Sequence, residues 1–148
     1  MAQRVDFHFN VPNRYTYACR LIRKARSMNL SIAVWARDAG KLEFFSRQLW
    51  SFDPTGFYPH VHATDPLAAE TPIVYANDEE LLPARDVLVL LDDTLPNDYH
   101  KLFERFNRVF DVVPPNENEK IAARERFKFY RHAGLNPIAH DQGTQKNG

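Results

Sequence analysis

A single cysteine, Cys19, leaves the chain no internal disulfide and too few thiolates for a zinc centre. Glycine is scarce too: five residues, at 40, 56, 134, 143 and 148. None stands in G-x-G-x-x-G or G-x-x-x-x-G-K-[ST] spacing, so no loop lets the backbone approach a pyrophosphate, and the usual nucleotide sites are excluded. A surplus of one charge is also missing, with 19 Lys+Arg against 19 Asp+Glu. A protein that grips many phosphates carries a basic excess, so nucleic-acid contact is confined to a local patch at most. No apolar run approaches the roughly 18–20 residues that span a bilayer. The opening MAQRVDFHFN has no long apolar core of a secretion signal. The expectation is a soluble, reduced, cytoplasmic domain with no membrane partner.

What is present is an ordinary globular composition, 44% hydrophobic and 26% charged over 148 residues. That suits one domain with one sizeable core rather than a disordered chain. Apolar residues alternate at 5, 7 and 9 in VDFHF, the pattern of a strand with one buried face. Asn13 can cap a helix over 14–28, a strand follows over 31–35, and Asp38 can cap a helix over 39–50. Strands joined by a crossover helix run parallel. Residues 51–70 hold three prolines and read as a long irregular loop. Short strands are expected at 72–75 and 108–113, and the run VLVLL at 87–91 reads as a strand buried on both faces. A short helix is expected over 98–106, and a longer one over 116–132 that Gly134 can end in a left-handed cap. The sum is a three-layer, Rossmann-like α/β fold, a mostly parallel sheet with helices on both faces. It occupies 1–136, with a polar, frayed tail expected over 137–148.

Chemistry is weakly signalled. Asp92 and Asp93 end the buried strand, where open α/β sheets place ligand groups, and paired carboxylates there can hold Mg²⁺. This keeps a metal-dependent, phosphate-processing enzyme open as an alternative; the plainer reading is a solvated turn before Pro96. His60 and His62, with Asp65 nearby, could share a metal, but no third ligand or supporting shell is visible. Cys19 sits mid-helix among Tyr17, Ala18 and Leu21 and reads as packing. No serine or cysteine stands in a nucleophile elbow. Neither catalysis nor a cofactor or metal is indicated.

Two surfaces look suited to binding. On a wheel of the last helix, Lys120, Arg124, Lys128 and Arg131 fall within about 80°. Ala123, Phe127, Tyr130 and Gly134 form the stripe beside them. Cations bordering aromatics suit an acidic peptide that also buries an apolar side chain. The plainer readings are a solvated basic face, or weak, salt-sensitive capture of single-stranded DNA. The second surface runs from Trp50 through Phe52, Phe57, Tyr58 and Pro59 to His60, an aromatic-rich loop of the kind enriched at protein interfaces. The alternative is a loop folded back on the core.

The run ARERFKFYRHAGLN at 123–136 resembles the C-terminal signature of the chi subunit of bacterial DNA polymerase III. The opening VDFHFN, the helix ending QLW at 48–50, FYPH at 57–60 and the stretch 109–114 resemble that family in the same order. The resemblance implies a small α/β accessory subunit of the clamp loader without polymerase activity of its own. Chi proteins bind the acidic, phenylalanine-ending tail of single-stranded DNA-binding protein, and so contact single-stranded DNA only indirectly. The tail-binding positions implied are Val113, Lys120, Arg124, Phe127 and Lys128. Phe127 departs from the familiar tyrosine, which removes one hydroxyl and keeps the packing. The psi subunit, which tethers chi to the clamp loader, implies contacts at Trp50, Phe57, Pro59 and His60, and a helicase could use the same surface. A cytoplasmic, replisome-associated location follows from the same resemblance.

Overall fold

The computed structural model describes residues 4–142. Its centre is a seven-stranded sheet in the order β3-β4-β2-β5-β6-β1-β7. The strands are β1 (Arg4–Phe9), β2 (Ile32–Trp35), β3 (His60–His62), β4 (Ile73–Ala76), β5 (Val87–Leu90), β6 (Arg108–Val112) and β7 (Pro137–Asp141). Every pairing is parallel, so the sheet goes beyond the mostly parallel expectation. The helices are α1 (Arg14–Ser27), α2 (Ala39–Ser51), α3 (Tyr99–Phe103) and α4 (Glu117–His132).

Side-chain alternation along the strands splits the core into two layers. Ile32, Val34, Ile73, Val87 and Val89 face α1 and α2, packing on Ala18, Ile22, Leu42 and Phe45. Their neighbours Ala33, Trp35, Val74, Leu88 and Leu90 face the other way, onto Leu102, Phe103, Ala123 and Tyr130 of α3 and α4. The helix starts fall where short polar side chains can accept orphan amides. Asn13 accepts from Thr16, Asp38 from Gly40 and Asn116 from Asn118. Gly134 has φ +80, the left-handed geometry that lets the chain leave α4 sharply.

Three expectations change. Residues 137–141 are a strand and not part of a frayed tail: Pro137–Asp141 pairs with β1 from Val5 to Phe9. Local sequence signals no strand there; the open edge of β1 supplies the hydrogen bonds. The rest of that tail, 143–148, lies outside the described residues. Within 51–70, His60–His62 adds a short edge strand against β4. β1 is buried on both faces, because Asp6 at 1% and His8 at 9% exposure lie under α1 with polar partners of their own.

Candidate functional site

α4 carries acidic residues in its first turn and Arg131 and His132 in its last, which complements the helix dipole. A buried polar cluster fixes it to β6. Arg126 donates to both oxygens of Asp111 at 2.9 and 3.0 Å, and the Tyr130 hydroxyl donates to the same carboxylate at 2.6 Å. Burial opposes the charge on Arg126, but the Asp111 carboxylate outweighs it and holds the guanidinium firmly protonated. Arg126 also donates to the Asp93 carbonyl. With Ala123, Arg126 and Tyr130 turned inward, the adjoining strip of the helix is set at a fixed height over β1.

That strip forms one wall of a groove of about 260 Å³. Phe7 and Phe9 of β1, Val113 after β6, and Ala139 of β7 make its apolar floor and far wall. Phe127 closes the near side, with its ring edge-on to Phe7 at 5.6 Å and 88°. Lys120 and Arg124 stand at the rim, and neither forms an ion pair among the described residues. Four of the six residues named from the sequence therefore meet in one place: Val113, Lys120, Arg124 and Phe127. Lys128 and Arg131 lie along the exposed helix outside it, and Lys128 is 3.7 Å from Glu125. Tyr130, placed beside them on the wheel, is instead fully buried. Sequence reasoning misses Phe7, Phe9 and Ala139 as site residues. The 7/9 alternation was signal enough for the first two, whereas Ala139 depends on a strand that pairing creates.

The second surface is a mixture. Trp50 is 51% and Phe57 76% exposed, large values for such rings, and they lie 5.9 Å apart. Pro59 is half-buried beside them. His60 is not presented: it is 4% exposed, with Nδ1 2.7 Å from the Tyr58 carbonyl and Nε2 2.9 Å from the Ser46 hydroxyl. Burial lowers its pKa, so it is a neutral shelf against which Trp50 packs at 4.2 Å.

The carboxylate pair has structural employment. Asp92 accepts from the Arg37 amide and the Lys41 ammonium, both at 2.8 Å, and from the Asp38 and Asp93 amides. Asp93 meets Arg14 at 3.3 Å and lies beside Glu119, whose carboxyl pKa is raised by burial and by that neighbour. Both ring nitrogens of His60 are hydrogen-bonded, and His62 bonds Thr64. Among the described residues no group of three or more His, Cys, Asp or Glu could hold a metal ion. Burial pushes the Cys19 thiol up to about 12, which makes it unreactive.

The family described as "DNA polymerase III chi subunit, HolC" matches residues 1–137. The chain belongs to this family. Among curated chi subunits, that of Pseudomonas aeruginosa is 31% identical over 136 residues, covering 88% of this chain and 91% of its own length. That of Haemophilus influenzae is 29% identical over 154 aligned positions, covering 97% and 100%. A probable chi subunit of Rickettsia prowazekii is 30% identical over 115 residues. Membership of the chi family makes the chain a DNA-replication protein associated with polymerase III. Among the described residues, no helix is long and apolar enough to cross a membrane.

Proposed function

We propose that the chain is a non-catalytic bridge between the clamp loader and single-stranded DNA-binding protein, whose acidic C-terminal tail it holds in the α4 groove. The observation that carries this reading is the join of an apolar well, Phe7, Phe9, Val113 and Phe127, to a rim bearing Lys120 and Arg124. A tail ending in phenylalanine puts its ring in the well and its terminal carboxylate against Arg124, with aspartates towards Lys120, Lys128 and Arg131. Arginine holds a carboxylate with two parallel hydrogen bonds, and lysine adds a point charge. Exposed pairs contribute under about 1 kcal/mol each, so affinity is modest and salt-dependent. Several tails on one oligomeric partner raise it by effective concentration. Trp50, Phe57 and Pro59 are the psi-facing surface, with His60 supporting Trp50 from beneath, and a helicase could compete there. The protein works in the cytoplasm at the replisome and reaches single-stranded DNA through its partner.

The test is fluorescence anisotropy of a labelled acidic peptide ending in Pro-Phe. Micromolar-range binding that weakens with salt, and that Arg124→Ala lowers at least about tenfold, supports the reading. No binding at low salt overturns it. Affinity for naked single strands equal to that for the peptide would instead favour direct DNA capture by the basic helix.

A further inference from the structure

β1 and β7 each have a second side. Phe7, Phe9 and Ala139 line the groove under α4, whereas the alternate residues Asp6, His8 and His140 line a different cavity, beneath α1. That cavity measures about 280 Å³, and the tail-binding reading does not use it. Leu21 and Ala25 of α1 and Met28 just after it, with Val87 and Phe110 of the sheet, give it apolar walls. Arg4, Lys24 and Arg108 bring three cations to it against one carboxylate, Asp6. Both Asp6 oxygens are already engaged: Arg4 at 2.7 Å and His140 at 2.9 Å on one, Arg108 at 2.7 Å on the other. The cavity thus offers positive charge and no free acceptor of its own from Asp6.

Two buried side-chain nitrogens among the described residues lack a hydrogen-bond partner, His8 Nε2 and Arg108 Nε, and both residues line this cavity. His8 is 9% exposed, and its Nδ1 lies 2.7 Å from the Tyr17 hydroxyl. Assigning the Tyr17 hydroxyl as donor in that contact places the ring proton on Nε2. Burial, joined by nearby His140, lowers the His8 pKa to about 4, so near neutral pH the ring is an uncharged donor. Both groups flank one ring: Arg108 lies 5.0 Å over Phe110, and the His8 ring is 5.7 Å from it. Unmet buried donors are costly and call for an acceptor.

We propose that this cavity binds a small organic carboxylate with an apolar body. Its two oxygens take the N–H groups of His8 and Arg108, and its body lies on Phe110, Leu21 and Met28. Two inner donors match the two oxygens of a carboxylate, and Arg4 and Lys24 set the sign of the guest. The apolar walls favour a hydrocarbon or aromatic body over a bare inorganic ion.

The experiment titrates the ¹⁵N-labelled full chain with phenylacetate and follows backbone amides and the histidine ring nitrogens. Saturating shifts at His8, Leu21 and Phe110 are expected, with a dissociation constant of ~1 mM or tighter. Phenethyl alcohol, which has the same body without the charge, should bind at least about tenfold more weakly. Arg108→Met should weaken phenylacetate by about tenfold or more. Leu21→Trp should do the same by filling the space while leaving both donors in place, and thermal melting confirms that each variant is folded. Equal binding of the alcohol, or no saturating shift at these residues up to about 50 mM, overturns the proposal. So do shifts confined to Lys120, Arg124 and Phe127, which would place the carboxylate in the other groove. Acidic-peptide binding is read on the opposite side of β1, so failure here and failure of the tail-binding reading are separate results.

Discussion

Asp111 sits between two side chains of α4, and its removal leaves each with a different problem. Asp111→Asn strips the counter-charge from a guanidinium that is 4% exposed, and breaking such a buried pair costs about 3–5 kcal/mol. Tyr130→Phe removes one hydrogen bond to a carboxylate and keeps the ring, so it should cost about 1.5–3 kcal/mol. Urea unfolding of both variants checks the order. Phe127→Ala should reverse the emphasis: its half-buried ring belongs to the groove, so peptide affinity should fall further than stability. Acid sensitivity is also a matter of single residues. His8 is held at about 4 against an ordinary 6.5. Between those values the unfolded chain takes up a proton that the folded chain refuses, so stability falls as pH drops through that window. For Asp6, burial alone would raise the pKa, but hydrogen bonds from Arg4, Arg108 and His140 outweigh it and hold it at about 2, below 3.8. Its contribution is therefore present above 3.8 and is lost as pH falls from there towards 2. His8→Phe should lessen the fall across the upper window, to which buried His60 also contributes, and leave the lower one, as read from urea midpoints at about pH 7.5, about pH 4.5 and about pH 2.

At the scale of elements, β7 is what turns one helix face into a groove. Ala139 is an exposed strand residue on its far wall. Ala139→Glu should therefore change stability by no more than about 0.5 kcal/mol, while the new carboxylate repels an acidic tail. Anisotropy should show peptide affinity reduced about tenfold; unchanged affinity would remove β7 from the site. This strand also marks the limit of what could be read from the sequence. α1 and α2 are legible through the caps Asn13 and Asp38, α4 through its basic and aromatic stripes and Gly134, and VLVLL through its unbroken run, because those signals are local. PIAHD at 137–141 has one strongly strand-forming residue and starts with proline, so its structure comes from the open edge of β1. HVH at 60–62 is three residues inside a proline-rich stretch and becomes a strand only beside β4. The same division holds at the site. Lys120, Arg124 and Phe127 are legible on one helix, whereas Ala139 and the ion pair of Arg126 with Asp111 require the packed sheet. The family resemblance added Val113, which no wheel could supply.

Across the whole molecule, the two proposed surfaces occupy opposite ends of the strand order and opposite faces of the sheet. Trp50 packs on His60 of β3, at one edge and on the α1–α2 side. The groove lies by β1 and β7, at the other edge and under α4. Six interstrand steps of about 4.8 Å put the edges roughly 29 Å apart. Residues so far apart with no shared partner act additively. A bridge of this kind therefore connects by simultaneous occupancy and not by switching. Phe57→Ala with Trp50→Ala should abolish capture of psi and leave tail-peptide affinity within about twofold, since two additive sites couple by less than about 0.5 kcal/mol. Arg124→Ala should do the converse. A ternary mixture of psi, this chain and the peptide should show the same peptide affinity as the binary one. A change beyond about fivefold, on the order of 1 kcal/mol of coupling, would mean that the sheet transmits between its edges and that independent occupancy is the wrong description.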